Sequence, residues 1–409
     1  MRPLKLLFLL LLTTCTTLHG GDWRQFRGPL GNGVSDERNI PRVLNSSNSV
    51  AWRVDLPGEG LSSPIIIGNR IFVTCSSGPK QQRLHVICFD AQNGQKVWER
   101  QLWATGRTMC HEKTAVAAST PASDGEFIVA IFSSNDIACF DLEGNLVWFR
   151  GLGRDYPNAS NSLGMSSSLV IANGVVVAQV ESESDAFILG LDLPSGRNHW
   201  RIARPRGANW TSPLVLKSGR QELVVLQSPK GVALVVPATG TIVWNYTNSA
   251  SSTPSSTLSG DTLFVPSQGL TALDFSAGPE SSRQLWRSSQ LKPGTPSPTV
   301  VKERILSLND GGVLTCGDTA TGQRLWQLRL KGPFSASPVV AADLVYCVSE
   351  KGVIQVVDPS KPEGELVSQL DLGETIVSTP SIANGAIYFR SDARLWKIGN
   401  APSLPQPSI

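Results

Sequence analysis

His111, Glu112 and Lys113 stand in a row within a polar connection that runs from Trp103 to Ala118. Arg154, Asp155 and Tyr156 begin a second such connection, which ends at Met165, and Trp210 lies in a third. An imidazole beside a carboxylate suggests a metal ligand or a general base. A cation, an anion and aromatic rings gathered together suggest a recognition surface instead. The remaining histidines decide between the two. His19 falls in the N-terminal leader, and His85 and His199 fall in strand-like runs, so no histidine-based metal site can be assembled. The chain has no Gly-x-Ser-x-Gly elbow, no Walker loop and no dinucleotide fingerprint. Gly28-Pro29-Leu30-Gly31-Asn32-Gly33 follows no strand, which makes it a loop and not a phosphate cradle. The pattern shows no nucleophile–base pair and no metal cage. His111, Glu112, Lys113, Arg154, Asp155, Tyr156 and Trp210 are therefore expected to bind a ligand or partner, with no catalytic or metal residue among them.

The elements that must position these residues come from a repeat. Trp98, Trp148, Trp200, Trp244 and Trp326 each follow a turn glycine by four residues: Gly94, Gly144, Gly196, Gly240 and Gly322. A second marker has the same period, small residues ending in proline. It reads Ser62-Ser63-Pro64, Ser119-Thr120-Pro121, Thr211-Ser212-Pro213, Ser252-Thr253-Pro254, Ser297-Pro298, Ala336-Ser337-Pro338 and Ser378-Thr379-Pro380, with Ser166-Ser167-Ser168 in the third place. Proline donates no N–H and suits the start of a strand, and small residues suit a crowded axis. Each marker leads into three short apolar runs. The third ends in an Asp-x-x-x-Gly turn, where aspartate bonds the backbone and glycine takes positive φ. A fourth run carries the tryptophan. Four strands per unit at this period is a propeller blade. The last unit, from Ser378, lacks a fourth strand, and Val50–Leu56 stands unused at the other end. The expected fold is thus all-β, an eight-bladed propeller of four-stranded antiparallel blades, with the N-terminal strand completing the last blade. Each tryptophan is expected to pack between blades. Both polar connections exceed ordinary turn length and open on one face, so they are expected to meet at the mouth of the axis.

Composition limits the function classes. A net charge of +3 is no electrostatic footprint for nucleic acid. Met1–Lys5 is basic and Leu6–Leu12 apolar, which fits a secretory signal peptide over residues 1–20 and is too short for a transmembrane segment. Threonine before Cys15 is a poor lipoprotein box, so no lipid anchor is expected there. The expected layout is a signal peptide, an extension over 21–49, a propeller over 50–399 and a Pro-rich tail over 400–409. Cys88, Cys139 and Cys316 share one repeat position and are expected to be small buried hydrophobes. Cys75 and Cys110 fall on connections of the same face, where export would permit a disulfide.

The unit, small residues and proline, two strands, Leu-Asp-x-x-x-Gly, then x-x-x-Trp, resembles the PQQ-like β-propeller repeat over roughly Val50 to Gly399. The leader running into Asp22-Trp23-Arg24-Gln25-Phe26-Arg27-Gly28-Pro29 resembles the start of the secreted bacterial members, including BamB-like outer-membrane assembly proteins. The resemblance implies the propeller fold and an exported protein of the periplasm or cell envelope. It holds two kinds of function, non-catalytic scaffolds and quinone-dependent alcohol dehydrogenases. The catalytic branch is implied to carry adjacent cysteines and a metal held by Glu, Asn and Asp. No two cysteines are adjacent here, and no motif marks Glu181, Asn309 and Asp310 as ligands. The expectation is therefore an exported monomeric scaffold binding an envelope protein through its loop face, without cofactor. The alternatives are a PQQ- and Ca²⁺-dependent alcohol or sugar dehydrogenase and a glycan-binding propeller, the latter using Trp103, Tyr156 and Trp210 as stacking platforms.

Overall fold

The computed structural model describes residues 21–44, 49–159, 163–219 and 221–399. The leader with Cys15 and the Pro-rich tail lie outside the described residues. In the first repeat unit, Ile65–Ile67 turns at Gly68 into Arg70–Ser77, which pairs with Arg83–Asp90 and then Lys96–Trp103, all antiparallel. Asp90 closes the last turn by accepting the amides of Gln92 and Asn93, and Gly94 sits at φ +74°. The middle strands are buried on both faces because neighbouring blades cover them, while the outer strand stays half-exposed. Seven blades of this kind span 65–103, 122–151, 170–203, 214–246, 257–288, 299–329 and 339–371. The eighth consists of Ser381–Ala383, Ala386–Arg390 and Arg394–Ile398, with Val50–Asp55 as its outer strand, Arg53 opposite Trp396. The ring therefore closes as the repeat arithmetic requires, with four strands in each of the eight described blades.

The tryptophans join the blades in a way the repeat spacing conceals. All but Trp244 serve the turn glycine of the next blade, not their own. Trp98 lies on Gly144, where an added Cβ would come within 2.7 Å of the ring, and its indole donates to Leu142 O at 2.9 Å. Trp148 does the same on Gly196, donating to Leu193 O at 2.7 Å, and Trp200 on Gly240. Trp52 of the closing strand docks on Gly94 of the first blade, so the lock continues across the closure. Blade seven carries Ser368 in place of tryptophan, opposite Val356 as Trp326 is opposite Cys316, and the reason is geometric. The last blade's outer strand comes from the other end of the chain, so no turn glycine exists there to receive a ring. Trp244 meets the edge of Phe275 at 4.9 Å, because the corresponding turn in blade five holds a short 3-10 turn, Pro279–Ser281.

Residues 21–44, read from the sequence as an extension outside the propeller, are packed into its underside. Trp23 and Arg27 are fully buried. Trp23 pairs through its backbone with Ile66, and Val34 bridges to Val340. The Arg27 guanidinium donates to Ser256 O, Thr257 Oγ1, Asn32 O and Pro298 O, joining blades five and six. The glycine-rich loop 28–33 is thus part of an axial plug. A cavity of about 880 Å³ lies between this plug and the inner hairpin turns of blades two, three, six and seven. Among the described residues no helix is long and apolar enough to cross a membrane.

Candidate functional site

The opposite end of the axis is a funnel of about 600 Å³. Its wall is built by the small-residue markers. The amide of Ser63 donates to Thr120 Oγ1 at 2.9 Å and that of Thr120 to Ser168 Oγ at 3.0 Å. The chain of bonds runs on through Ser212, Ser255, Ser297 and Ser337 to Thr379. One hydroxyl from each of blades two to eight therefore ties the inner strands into a belt around the axis. The belt corrects one sequence assignment: blade five contributes Ser255, so its marker is Ser255-Ser256 and not Ser252-Thr253-Pro254. The eighth link, from Thr379 to Ser63, is not made, and the buried Ser63 Oγ meets no partner among the described residues. Arg390 bridges that seam instead, donating to Ser62 Oγ at 2.9 Å and Thr74 O at 2.8 Å.

Above the belt lie His111, Lys113, Trp210, Phe334, Asp310 and Glu350, and Phe26 of the plug also reaches the cavity. The connection 103–118 is anchored at its root, where Thr105 bonds the buried Asp136 through both amide and hydroxyl. It then bends over the mouth. The His111 amide donates to Leu163 O at 2.9 Å, and Lys113 Nζ reaches Glu350 of blade seven at 3.4 Å. The Trp210 indole donates to Gly164 O at 3.0 Å, so the second polar connection is drawn in as well.

The sequence-derived site is divided by the structure. His111, Lys113 and Trp210 share the funnel, and Glu112 is exposed beside them. Arg154, Asp155 and Tyr156 do not line it, because the four-residue helical turn Leu152–Asp155 turns the chain outward. There Asp155 pairs with Arg150 at 3.0 Å, and Tyr156 packs on Phe187 and accepts from Asn198 at 2.6 Å. The three rings proposed for sugar stacking do not form one platform either, since Trp103 sits exposed on blade one under Arg83. The bridge between Cys75 and Cys110 is not formed. Cys75 is fully buried with its sulfur 3.5 Å from Arg390 Nη2, whereas Cys110 turns its sulfur toward Thr114 O. Burial holds both thiols above the ordinary range. Cys88, Cys139 and Cys316 are buried apolar groups, each pushed up to about 12 by burial.

The donors of a quinone–metal site do not converge. Glu181 is buried and already engaged by Arg204 Nε at 2.7 Å and Asn209 Nδ2 at 2.8 Å; desolvation raises its carboxyl despite those partners. Asn309 Oδ1 accepts from Val313 N, and Asp310 Oδ1 accepts from Thr295 N. No group of three metal-capable carboxylate, imidazole or thiol side chains forms among the described residues. The residues present thus do not fit the implied cofactor. One grouping was missed by sequence reasoning altogether. Ser77 Oγ lies 2.7 Å from His85 Nε2, and His85 Nδ1 lies 2.8 Å from Glu99 Oε1. Only strand register aligns these three, so no local motif could have shown them.

A family profile described as outer membrane protein assembly factor BamB matches residues 34–212 and 276–362, more than half of the chain. The chain belongs to the BamB family. No curated protein matches this family member in sequence. Among solved structures it is similar to BamB from Moraxella catarrhalis, at 16% identity and a TM-score of 0.63, covering 88% of this chain and 100% of that one. It is also similar to a europium-containing methanol dehydrogenase, at 12% identity, TM-score 0.68, with 90% and 89% of the chains covered. A third is the quinohemoprotein alcohol dehydrogenase of Comamonas testosteroni, at 13% identity, TM-score 0.69, with 95% and 82% covered. At these identities the BamB-family chain shares a fold with all three.

Proposed function

We propose that this BamB-family propeller is exported to the cell envelope and docks a protein partner at its axial mouth. The observation that carries this reading is the funnel itself. It is a cavity of about 600 Å³ whose walls are serine and threonine hydroxyls, whose rim carries Lys113, Asp310 and Glu350, and whose apolar contacts are Trp210 and Phe334. Mixed polar donors around aromatic anchors are the composition of a protein-recognition pocket. Lys113 is exposed and its ammonium makes a long ion pair with Glu350, so the arm can be displaced at little cost. The plug closes the underside, which leaves this end as the route into the axis.

A photo-crosslinking amino acid at position 113, compared with one at position 154, tests the assignment in envelope preparations of the producing cells. Adducts with a protein are expected from 113 and not from 154. Equal adducts from both positions, or none from 113, would overturn it. Dye reduction by alcohols after addition of PQQ and Ca²⁺ would likewise replace the partner reading with the dehydrogenase one.

A further inference from the structure

Blade one carries a second grouping of reactive side chains, on the face it turns toward blade eight. Strand register puts Ser77, Arg83 and Trp103 in one row, Cys75, His85 and Gln101 in the next, and Val73, Ile87 and Glu99 in a third. The face is shared with blade eight, since Val73, Cys75 and Ile87 pack in one core with Ile382 and Tyr388. Along the diagonal of these rows runs the relay Ser77–His85–Glu99, with bonds of 2.7 and 2.8 Å. Its proton order follows from the donors. A carboxylate only accepts, so His85 Nδ1 carries the proton that goes to Glu99. Nε2 is then left with its lone pair toward the Ser77 hydroxyl. Partial burial would raise the Glu99 carboxyl, but hydrogen bonds from Lys96, His85 and Gln101 outweigh it and hold it down at about 2.

The relay has a direction. Its base is 2% exposed, whereas Ser77 is the last residue of its strand, half-exposed, and followed by Gly78 at φ +90°. In the same row Trp103 is 62% exposed, with the Arg83 guanidinium 5.5 Å above its ring. A hydroxyl, an imidazole positioned by a carboxylate, a nearby cation and an exposed aromatic ring are the parts needed for acyl transfer from an ester. We propose that Ser77 is a nucleophile and His85 its general base, acting on carboxylic esters that carry an aromatic ring, with Glu99 as the positioning residue. Ser77 Oγ attacks the ester carbonyl carbon while its proton passes to His85 Nε2. The tetrahedral adduct collapses, and the alcohol leaves with that proton, giving acyl-Ser77. Water, deprotonated by His85, then releases the carboxylic acid and restores the hydroxyl. The net reaction is ester plus water to acid plus alcohol, and no other reactant is consumed. Arg83 is the cation beside the developing oxyanion, and Trp103 stacks the ring of the substrate. This site lies away from the axial mouth and does not depend on the partner proposed there.

The test uses the full mature chain and a fluorophosphonate probe, which bonds an activated serine with loss of fluoride. Peptide mass spectrometry is expected to find the adduct on Ser77, and hydrolysis of p-nitrophenyl benzoate is expected in the same preparation. Ser77→Ala should lose both while the chain remains folded by circular dichroism. Glu99→Gln should lower the maximal labelling rate by about tenfold or more while the half-saturating probe concentration stays put, a split that loss of packing alone would not produce. His85→Gln, checked for folding by circular dichroism, should abolish labelling. An unlabelled Ser77 in the wild-type chain would overturn the proposal whatever the variants do. So would an adduct that forms as fast in Glu99→Gln as in wild type.

Discussion

Trp98, Trp148 and Trp200 each follow their own turn glycine by four residues yet serve the glycine of the next blade, at Gly144, Gly196 and Gly240. Trp148 and Gly196 show the consequence, because the ring needs the missing Cβ: a methyl there would lie 2.5 Å from the indole. Trp148→Ala is expected to cost about 3–5 kcal/mol in urea unfolding. Gly196→Ala should also destabilise, and the double variant should cost less than the sum, since both changes break one contact. Independent, additive losses would show that the ring and the glycine are not coupled. Glu99 makes a separate prediction. Its carboxyl stands at about 2 in the folded chain, below the ordinary carboxylate value, so its stabilisation is complete above about pH 4.5 and is lost as pH falls through 2. The stability gap between wild type and Glu99→Gln should therefore narrow across that window. A gap that widened on acidification would reverse the assigned sign.

At the scale of elements, the N-terminal segment departs most from its sequence reading. The sequence marks it only as an extension before the propeller, and in the structure Trp23, Arg27, Ile40 and Leu44 are all buried against the blades. A buried guanidinium held by carbonyl oxygens leaves several acceptors unpaired when removed, at about 1.5–3 kcal/mol for each strong bond. Deleting residues 21–49 should thus lower the melting temperature markedly, even with the closing strand intact. Deleting 21–56 should do worse, because Trp52 and the Val50–Asp55 ladder go too. Equal melting of the chain from residue 21 and of the shorter deletion would show that the plug adds nothing. The two polar connections behave unlike each other. The first crosses the mouth to Glu350, while the second spends Asp155 on Arg150 of blade two and Tyr156 on Asn198 of blade three.

The whole molecule is a ring whose inner belt makes seven links, with the unmade eighth between blade eight and blade one. That seam is held by other means: the Val50–Asp55 ladder, Trp52 on Gly94, and Arg390 reaching from blade eight to Ser62 and Thr74. Closure is therefore carried by side chains from both termini, and the plug beneath adds contacts to blades one, two, five, six and seven.

What repeated along the chain was legible in it. The glycine–tryptophan spacing, the serine–proline markers and the orphan strand at Val50 each depend on a few neighbouring residues, and together they determined eight blades, their order and their closure. Even the buried Cys88, Cys139 and Cys316 followed from one shared repeat position. What happens only once was left to the tertiary structure. Lys113 meets Glu350 across 237 positions, and Arg27 meets Pro298 across 271. Ser77, His85 and Glu99 align through the register of three strands. Such contacts need the ring closed before the residues can meet, and no local periodicity encodes which side of a strand will face an empty axis, a neighbouring blade or the plug.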